Sequence, residues 1–132
     1  MIKYLTLEEV LFLHDYAIHR YGGSYGIANM GQLQSALNAP KQTMFGEELY
    51  PDIFAKAAIL VYSLVKNHPF VDGNKRTALY ALLRFLEMNG LTVKVAHNDD
   101  LYQFTIDIAA SRLGKEQIEA WLREHVVPLA EG

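Results

Sequence analysis

The chain has 132 residues, of which 51% are hydrophobic and 20% charged, and its formal net charge is -3. This balance is typical of one folded domain, 1–132, and it lacks the basic footprint of a protein that binds nucleic acid directly. The sequence has no cysteine, which excludes disulfides, thiol catalysis and zinc–thiolate sites. It also has no segment resembling a secretory signal and no run of roughly 18 apolar residues. We therefore expect a cytoplasmic protein with no membrane partner.

The first part of the chain predicts one amphipathic helix followed by a loop. Thr6 and Glu9 have the spacing of a capping box, in which each side chain binds the backbone N–H of the other residue. Apolar residues then recur at helical spacing up to the Gly22-Gly23 pair, which ends the helix. Residues 23–29 are rich in glycine and small polar residues, and we predict a loop there.

The next stretch predicts a short helix and then a flap. Residues from Gly31 to Leu37 place apolar side chains on one side of a helix, and Pro40 stops it. Residues 41–51 lack helical periodicity, and Gly46 suits a turn within them. We therefore predict a short hairpin or flap over this stretch.

Two long apolar segments follow and form the centre of the predicted fold. The first begins at Pro51 or Asp52 and runs to Val65, and it is apolar on most sides, which indicates a buried helix. The second runs from Asn74 to Met88 and ends at an Asn-Gly pair typical of a helix C-cap. The short connection between them predicts that the two helices run antiparallel.

The C-terminal part of the chain predicts one extended segment and two further helices. Residues 91–96 are rich in β-branched side chains, which is typical of a strand or an extended segment. Asn98 is predicted to cap a helix that ends near Ser111, and the last helix is predicted from Lys115 to Val126. Because helical periodicity dominates the chain, we predict an all-α fold around the two central helices.

The loop between the central helices is the most informative segment of the sequence. Residues 68–76 are HPFVDGNKR, and the second central helix begins near Asn74. Lys75 and Arg76 therefore fall in the first helical turn, where the partial positive charge of the helix disfavours cations. Free N–H groups at a helix start form an anion site together with two cations. The unfavourable position of Lys75 and Arg76 is therefore explained if this site binds phosphate.

Further residue types in this loop suit phosphate chemistry. An imidazole titrates close to neutral pH, so His68 can act as a base. Asp72 supplies a hard carboxylate ligand for Mg²⁺ held between protein and phosphates, and Gly73 allows close approach of the backbone. With the Asn74 amide and the bidentate Arg76 guanidinium, the segment meets the minimum requirements of phosphoryl or nucleotidyl transfer. Taken one at a time, the same residue types more often belong to an ordinary loop, a helix cap and a solvated helix face.

The segment resembles the signature of the Fic/Doc family, written H-x-F-x-[D/E]-[G/A]-N-x-R. Every defined position of that signature is matched, by His68, Phe70, Asp72, Gly73, Asn74 and Arg76. Other parts of the chain resemble the death-on-curing (Doc) branch of the family, namely His14, residues 20–23 (RYGG) and residues 33–37 (LQSAL). The resemblance implies a single-domain Fic/Doc-like helical bundle with two central antiparallel helices and a short flap.

Within the family, Lys75 indicates the type of chemistry. The adenylyl-transferring Fic proteins have glycine at this position, whereas Doc toxins have lysine, as here. The resemblance to Doc implies a toxin of a toxin–antitoxin system that transfers the γ-phosphate of ATP to a protein hydroxyl, a threonine of elongation factor Tu, and arrests translation. Adenylyl transfer is the alternative within enzymes. Outside enzymes, the alternative is an antitoxin-binding regulatory protein with a vestigial nucleotide site.

Carried over by position, the resemblance implies a role for each residue of the loop. His68 would be the general base, and Asp72 would hold Mg²⁺. Phe70 would anchor the loop in the core, and Arg76 would act in catalysis. The ATP phosphates would lie against Gly73, Asn74, Lys75 and Arg76.

Two departures from the family's pattern bear on recognition and regulation. After Gly26 the chain continues Ile27-Ala28-Asn29, where relatives often place an acidic residue, so the role of that residue is open here. The family's inhibitory motif, [S/T]-x-x-x-E-[G/N], is absent, and residues 43–48 come closest to it. We therefore expect a separate antitoxin protein as a partner.

The remaining candidate residues are scattered along the chain. Tyr16, Tyr21 and Tyr25 lie near the glycines and fit either a partner groove or the edge of the core. Residues 40–50 fit either a strand edge that pairs with a substrate peptide or an ordinary surface loop. We interpret four histidines as structural or surface residues: His14, His19, His97 and His125.

Overall fold

The computed structural model describes residues 1–129, which form six α-helices and two small antiparallel sheets. The helices are α1 (Leu7–Tyr21), α2 (Met30–Asn38), α3 (Ile53–Lys66), α4 (Asn74–Met88), α5 (Asp99–Ala109) and α6 (Lys115–His125). The strands are β1 (Thr43–Met44), β2 (Glu47–Glu48), β3 (Leu91–Val93) and β4 (Val126–Pro128). The predicted helical fold is therefore confirmed. None of the helices in residues 1–129 has the length and apolarity needed to cross a membrane.

The centre of the core is the pair α3 and α4, joined by the loop 67–73. Most side chains of α3 are buried, and α4 buries one face that includes Phe85 and Leu86. Because the short loop reverses the chain between two packed helices, they run antiparallel, as predicted. α1 and α5 pack against α4, while α2 and α6 pack against α3, and one apolar cluster draws on all six helices. The start of α4 thus lies at one end of the bundle, beside α1 and α5.

Side-chain caps set the starts of the first three helices. The Thr6 hydroxyl accepts from the Glu9 N–H (3.2 Å), and the Glu9 carboxylate accepts from the Thr6 N–H (3.0 Å), which completes the predicted capping box. Asn29 caps α2 by accepting from the Gln32 N–H (2.9 Å), so this helix begins at residue 30, one position earlier than predicted. Asp52 caps α3 in the same way by accepting from the Ala55 N–H, so this helix begins at Ile53, one or two positions later than predicted.

The predicted flap is a hairpin formed by β1 and β2. Its register places Thr43 opposite Glu48. The turn between the strands consists of Phe45 and Gly46, with φ of 52° and 80°. Positive φ at both central residues is the geometry of a type I′ turn, whose twist matches that of paired strands. Glycine suits the second of these positions, and Phe45 occupies the first with its side chain fully in solvent.

The C-terminal end departs from the predicted boundaries. α6 ends at His125 rather than Val126, and residues 126–128 form β4, a strand that the sequence analysis did not predict. β4 pairs with β3 in a register that places Thr92 opposite Val127. The partners are far apart in sequence, and local periodicity cannot detect such a pairing.

The boundaries of α5 also differ from the prediction. Asn98 precedes this helix, but its side chain makes no capping hydrogen bond. Instead, the Asp100 carboxylate accepts from the His97 N–H at 3.2 Å. The helix ends at Ala109, and Ser111 adopts a left-handed backbone with φ of 62°, which is incompatible with a continuing α-helix.

Candidate functional site

The loop between α3 and α4 exposes the first N–H groups of α4. Gly73 precedes the helix with a left-handed backbone (φ 76°, ψ 20°) and has no side chain with which to cap it. The first hydrogen bond of α4 runs from the Thr77 N–H to the Gly73 oxygen at 3.0 Å. The N–H groups of Asn74, Lys75 and Arg76 come before that bond, so they remain available to an anionic ligand.

The Asn74 side chain closes the loop on itself. Its carboxamide oxygen accepts from the Phe70 N–H (2.9 Å), and its nitrogen donates to the Phe70 oxygen (2.9 Å). Asn74 is buried, and the Phe70 ring is anchored in the core. The carboxamide is thus engaged within the protein, which differs from the amide contact to phosphate expected from the sequence. Only the backbone N–H of Asn74 remains for a ligand.

His14 supports the loop from α1. Its imidazole is 2% exposed and stacks on Phe70 with 3.8 Å between ring centroids and 7° between planes. The Nε2 atom lies 2.8 Å from the Asp72 carbonyl oxygen, which can only accept, so Nε2 carries the proton. His14 is structural, as interpreted from the sequence, but its contact with the loop was not foreseen. The available signal was a polar residue on the apolar face of α1, beside Val10 and Ile18.

The glycine-rich segment 22–29 forms a second support for the loop. The Ala28 and Asn29 N–H groups both donate to the Pro69 oxygen, at 2.8 and 3.0 Å. The Val71 N–H donates to the Gly26 oxygen at 3.1 Å. In residues 27–29, where relatives often place an acidic residue, the backbone therefore supports the loop. The Asn29 side chain caps α2.

Asp72 is held by backbone donors on both sides. One carboxylate oxygen accepts from the Gly73 N–H (2.9 Å) and the other from the Ser24 N–H (3.2 Å). A Cβ atom on Gly23 would lie 2.6 Å from the nearer carboxylate oxygen, and Gly23 has φ of 114°. Both the space and the backbone angle therefore require glycine at this position. This gives a physical reason for the glycine at position 23 beside the loop.

The donor set suits a magnesium ion that arrives with phosphates. Mg²⁺ is commonly held by one or two carboxylates plus substrate phosphates and water. Asp72 is exposed, and each of its oxygens retains lone-pair capacity beyond its single hydrogen bond. Within residues 1–129, no cluster of three or more acidic, histidine or cysteine side chains could hold a metal alone. The residues present fit the ion only when phosphate oxygens complete its coordination.

His68 is exposed at the opposite end of the loop from Asp72. Its backbone is left-handed, with φ of 46°, immediately before the buried Pro69. A proline disfavours the right-handed α region for the residue before it. Its Nδ1 atom lies 3.4 Å from the Asn74 side-chain nitrogen, a contact too long to fix the ring firmly. The imidazole is therefore accessible to a protein substrate.

A small cavity of about 230 Å³ opens at the start of α4. Pockets for small molecules usually measure about 300–1,000 Å³. The cavity is smaller than this range and is open to solvent on one side. Within residues 1–129 neither Lys75 nor Arg76 forms an ion pair with a carboxylate. The lining residues are Ala17, Tyr21, Gly22, Asp72, Gly73, Asn74, Lys75, Arg76 and Tyr102.

Aromatic rings surround the cationic side of the cavity. The Arg76 Cζ atom lies 3.6 Å from the ring centroid of Tyr21 and 4.3 Å from that of Tyr102. Burial, and then a hydrogen bond with Tyr21, raise the pKa of Tyr80 to about 12. The same hydrogen bond, followed by one with Arg20, lowers the pKa of Tyr21. Tyr21 therefore belongs to the site. The sequence analysis had offered two other interpretations for it, a partner groove or the edge of the core.

Comparison with known proteins extends these observations. The model of the Fic/DOC family matches residues 4–86, which contain the loop and its supports from α1. The chain is 37% identical to "Toxin Doc" of Mycolicibacterium smegmatis over 112 residues, covering 85% of this chain and 84% of that protein. It is 31% identical to "Protein kinase doc" of Escherichia phage P1 over 122 residues, covering 92% and 94%.

Proposed function

The chain belongs to the Fic/DOC family, and we propose that it is a Doc-type toxin that transfers the γ-phosphate of ATP to a protein hydroxyl. One observation carries the proposal. A single loop holds an accessible imidazole, a carboxylate tethered by two N–H groups, and two cations at a helix start. Both relatives carry names that agree with it, one as a toxin and one as a protein kinase.

The roles of the residues follow from where their reactive atoms lie. His68 would take the proton from the attacking hydroxyl, whose oxygen then bonds to the γ-phosphorus while the bond to the bridging oxygen breaks and ADP leaves. Lys75, Arg76 and the first N–H groups of α4 would stabilise the charge on the phosphate oxygens. Mg²⁺, held by Asp72 together with those oxygens, would supply further positive charge. The Asn74 side chain acts indirectly, by holding the shape of the loop.

Lys75 favours phosphoryl transfer over AMP transfer. Its side chain lines the cavity at the start of α4 and adds a cation there. Glycine at this position would leave that space open for the nucleotide phosphates.

Labelled ATP distinguishes the two reactions. The purified protein is incubated with elongation factor Tu, Mg²⁺ and ATP labelled in the γ- or the α-phosphate. We expect γ label on a threonine, no α label, and a mass gain of one phosphate. Removal of Mg²⁺, or Asp72→Ala, should abolish labelling. Transfer of the α label would reject phosphoryl transfer and favour AMP transfer, and absence of both labels would support a non-enzymatic regulatory protein.

A separate antitoxin is the second proposed partner. The outer face of α1 exposes Phe12 and Tyr16, with 71% and 46% of their surfaces in solvent. A cavity of about 370 Å³ lies beside Phe12, between α1 and Arg84 of α4. An antitoxin segment that folds on binding would cover such an apolar surface. Expression of the chain alone should stop growth, and His68→Ala should restore it. Harmless expression of the unaltered chain would contradict the toxin assignment.

A further inference from the structure

We infer that Tyr21 and Tyr102, here named the tyrosine clamp, hold the Arg76 guanidinium in the orientation that binds phosphate. The inference rests on the proposed function in placing phosphate at this site. The two rings come from the end of α1 and from α5, and both lie within 4.3 Å of the Arg76 Cζ atom. All three side chains line the same cavity at the start of α4.

The clamp holds the guanidinium without neutralising it. An arginine near a helix start would ordinarily be held by a carboxylate, but within residues 1–129 no acidic side chain pairs with Arg76. A carboxylate would consume the same N–H donors that bind phosphate. The two aromatic rings instead lie 3.6 and 4.3 Å from the guanidinium carbon, where they attract the cation without taking up the N–H donors that phosphate needs. The arrangement therefore restricts the side chain and leaves its charge and donors for a ligand.

Tyr21 is itself positioned by neighbours. Burial and a hydrogen bond with Tyr21 raise the pKa of Tyr80 on α4 to about 12, and the same hydrogen bond lowers the pKa of Tyr21. Tyr16 packs against Tyr80 in an edge-to-face contact with 5.7 Å between centroids. One side of the clamp is thus built where α1 packs against α4.

Tyr102 lies outside the segment that the family model matches. The family model covers residues 4–86, which include Tyr21 and Arg76 but end before α5. Tyr102 therefore adds an aromatic surface from outside the matched segment. The Tyr102 ring contacts the Arg76 side chain, so we expect Tyr102 to affect the site through Arg76. We class it as a positioning residue and not as a catalytic one.

Binding of inorganic tripolyphosphate tests the clamp without any transfer reaction. We expect Tyr102→Leu to weaken binding about five-fold, on the scale of one lost cation–π contact. Tyr102→Phe keeps the ring and should bind within about two-fold of the unaltered protein. Tyr25→Leu is the matched control, since this tyrosine is exposed and lies outside the cavity.

A double-mutant cycle shows whether Tyr102 acts through Arg76. In an Arg76→Ala background, Tyr102→Leu should cause no further loss of tripolyphosphate binding. An equal loss in both backgrounds, or full binding by Tyr102→Leu, would overturn the inference. Loss of binding caused by Arg76→Ala but not by Tyr102→Leu would retain the phosphate site and reject the clamp. The two proposals can therefore fail separately.

Nuclear magnetic resonance of the free protein gives a second measurement that needs no variant to fold. Ring currents from two tyrosines should shift the Arg76 side-chain protons upfield relative to those of the exposed Arg112. The Arg76 Nε–H should also show restricted motion, and Tyr102→Leu should relax both effects. Unshifted, mobile Arg76 signals in the unaltered protein would refute the clamp whatever the catalytic activity.

Discussion

The loop 68–73 and the flap 43–48 are both irregular segments of a helical protein, but they are held in different ways. The loop is fixed by side chains and backbone from α1, from segment 22–29 and from Asn74. The flap has strands of two residues each, and Phe45 at its tip is fully exposed. The proposed chemistry, which depends on exact placement, would therefore lie on the more heavily supported of the two segments.

A buried lysine anchors the base of the flap. Lys56 on α3 is 1% exposed, and its ammonium donates to the Pro40 oxygen and the Glu48 carboxylate, both at 2.9 Å. Burial opposes the charge on Lys56, but hydrogen bonds with Glu48 and Tyr4 outweigh it and raise its pKa. The ammonium of Lys56 thus holds the base of the flap, whereas several hydrogen bonds from different segments hold the loop.

The largest expected effect is on the rate of phosphate transfer, when the proposed base His68 is removed without disturbing the supports of the loop. His68 is exposed and holds no other part of the loop firmly, so His68→Ala should reduce transfer of the γ-phosphate by about 10²-fold or more and leave the melting temperature unchanged. Initial rates with labelled ATP measure the loss, and His97→Ala, another exposed histidine, is the control. Retention of full activity by His68→Ala would exclude it as the base.

The next effect compares the supports of the two segments directly. Asn74→Ala leaves the Phe70 N–H and carbonyl without their side-chain partner, so it should lower the free energy of unfolding by about 2–3 kcal/mol and reduce activity as well. Phe45→Ala in the flap should change the free energy of unfolding by less than about 0.5 kcal/mol. Urea unfolding of both variants tests the contrast. Equal losses would show that the loop is no better supported than the flap.

Glycine substitutions sharpen the comparison further. Gly23→Ala combines a positive φ with a clash against the Asp72 carboxylate, and we expect a loss of about 2 kcal/mol together with weaker Mg²⁺-dependent activity. Gly46→Ala in the flap has a similar backbone strain but open space around it, so about 1 kcal/mol is expected. Thermal unfolding gives the first quantity and a Mg²⁺ titration of activity the second. Unchanged Mg²⁺ dependence in Gly23→Ala would mean that Asp72 does not hold the ion.

A further prediction concerns the base of the flap. Lys56→Met removes both hydrogen bonds and should cost about 1 kcal/mol at pH 7. Because the folded-state pKa of Lys56 is raised above 10.5, its charge-dependent stabilisation is complete below pH 10.5 and is lost as pH rises through the folded value. The difference between the two proteins should therefore shrink at high pH. A constant difference between pH 7 and pH 11 in urea unfolding would argue against the ion pair.

The features predicted correctly from sequence are those that depend on neighbours along the chain. The capping box at Thr6 and Glu9, the flap turn at Gly46, and the bounds of α4 from Asn74 to Met88 all follow from local propensity and spacing. The signature residues of the loop were also visible, since they occupy nine consecutive positions. The roles proposed for His68, Asp72 and Lys75 remain predictions.

Contacts between distant segments were decided by the tertiary structure alone. The stacking of His14 on Phe70 joins residues that lie far apart in sequence, as do the pairing of β3 with β4 and the contact of Tyr102 with Arg76. Asn74 shows the same limit within the loop itself. Its type and position were evident, but whether its amide faces a ligand or the backbone depends on how the chain turns between α3 and α4. Sequence spacing determines which residues share a helix or a turn, whereas packing determines which side chains remain free to react.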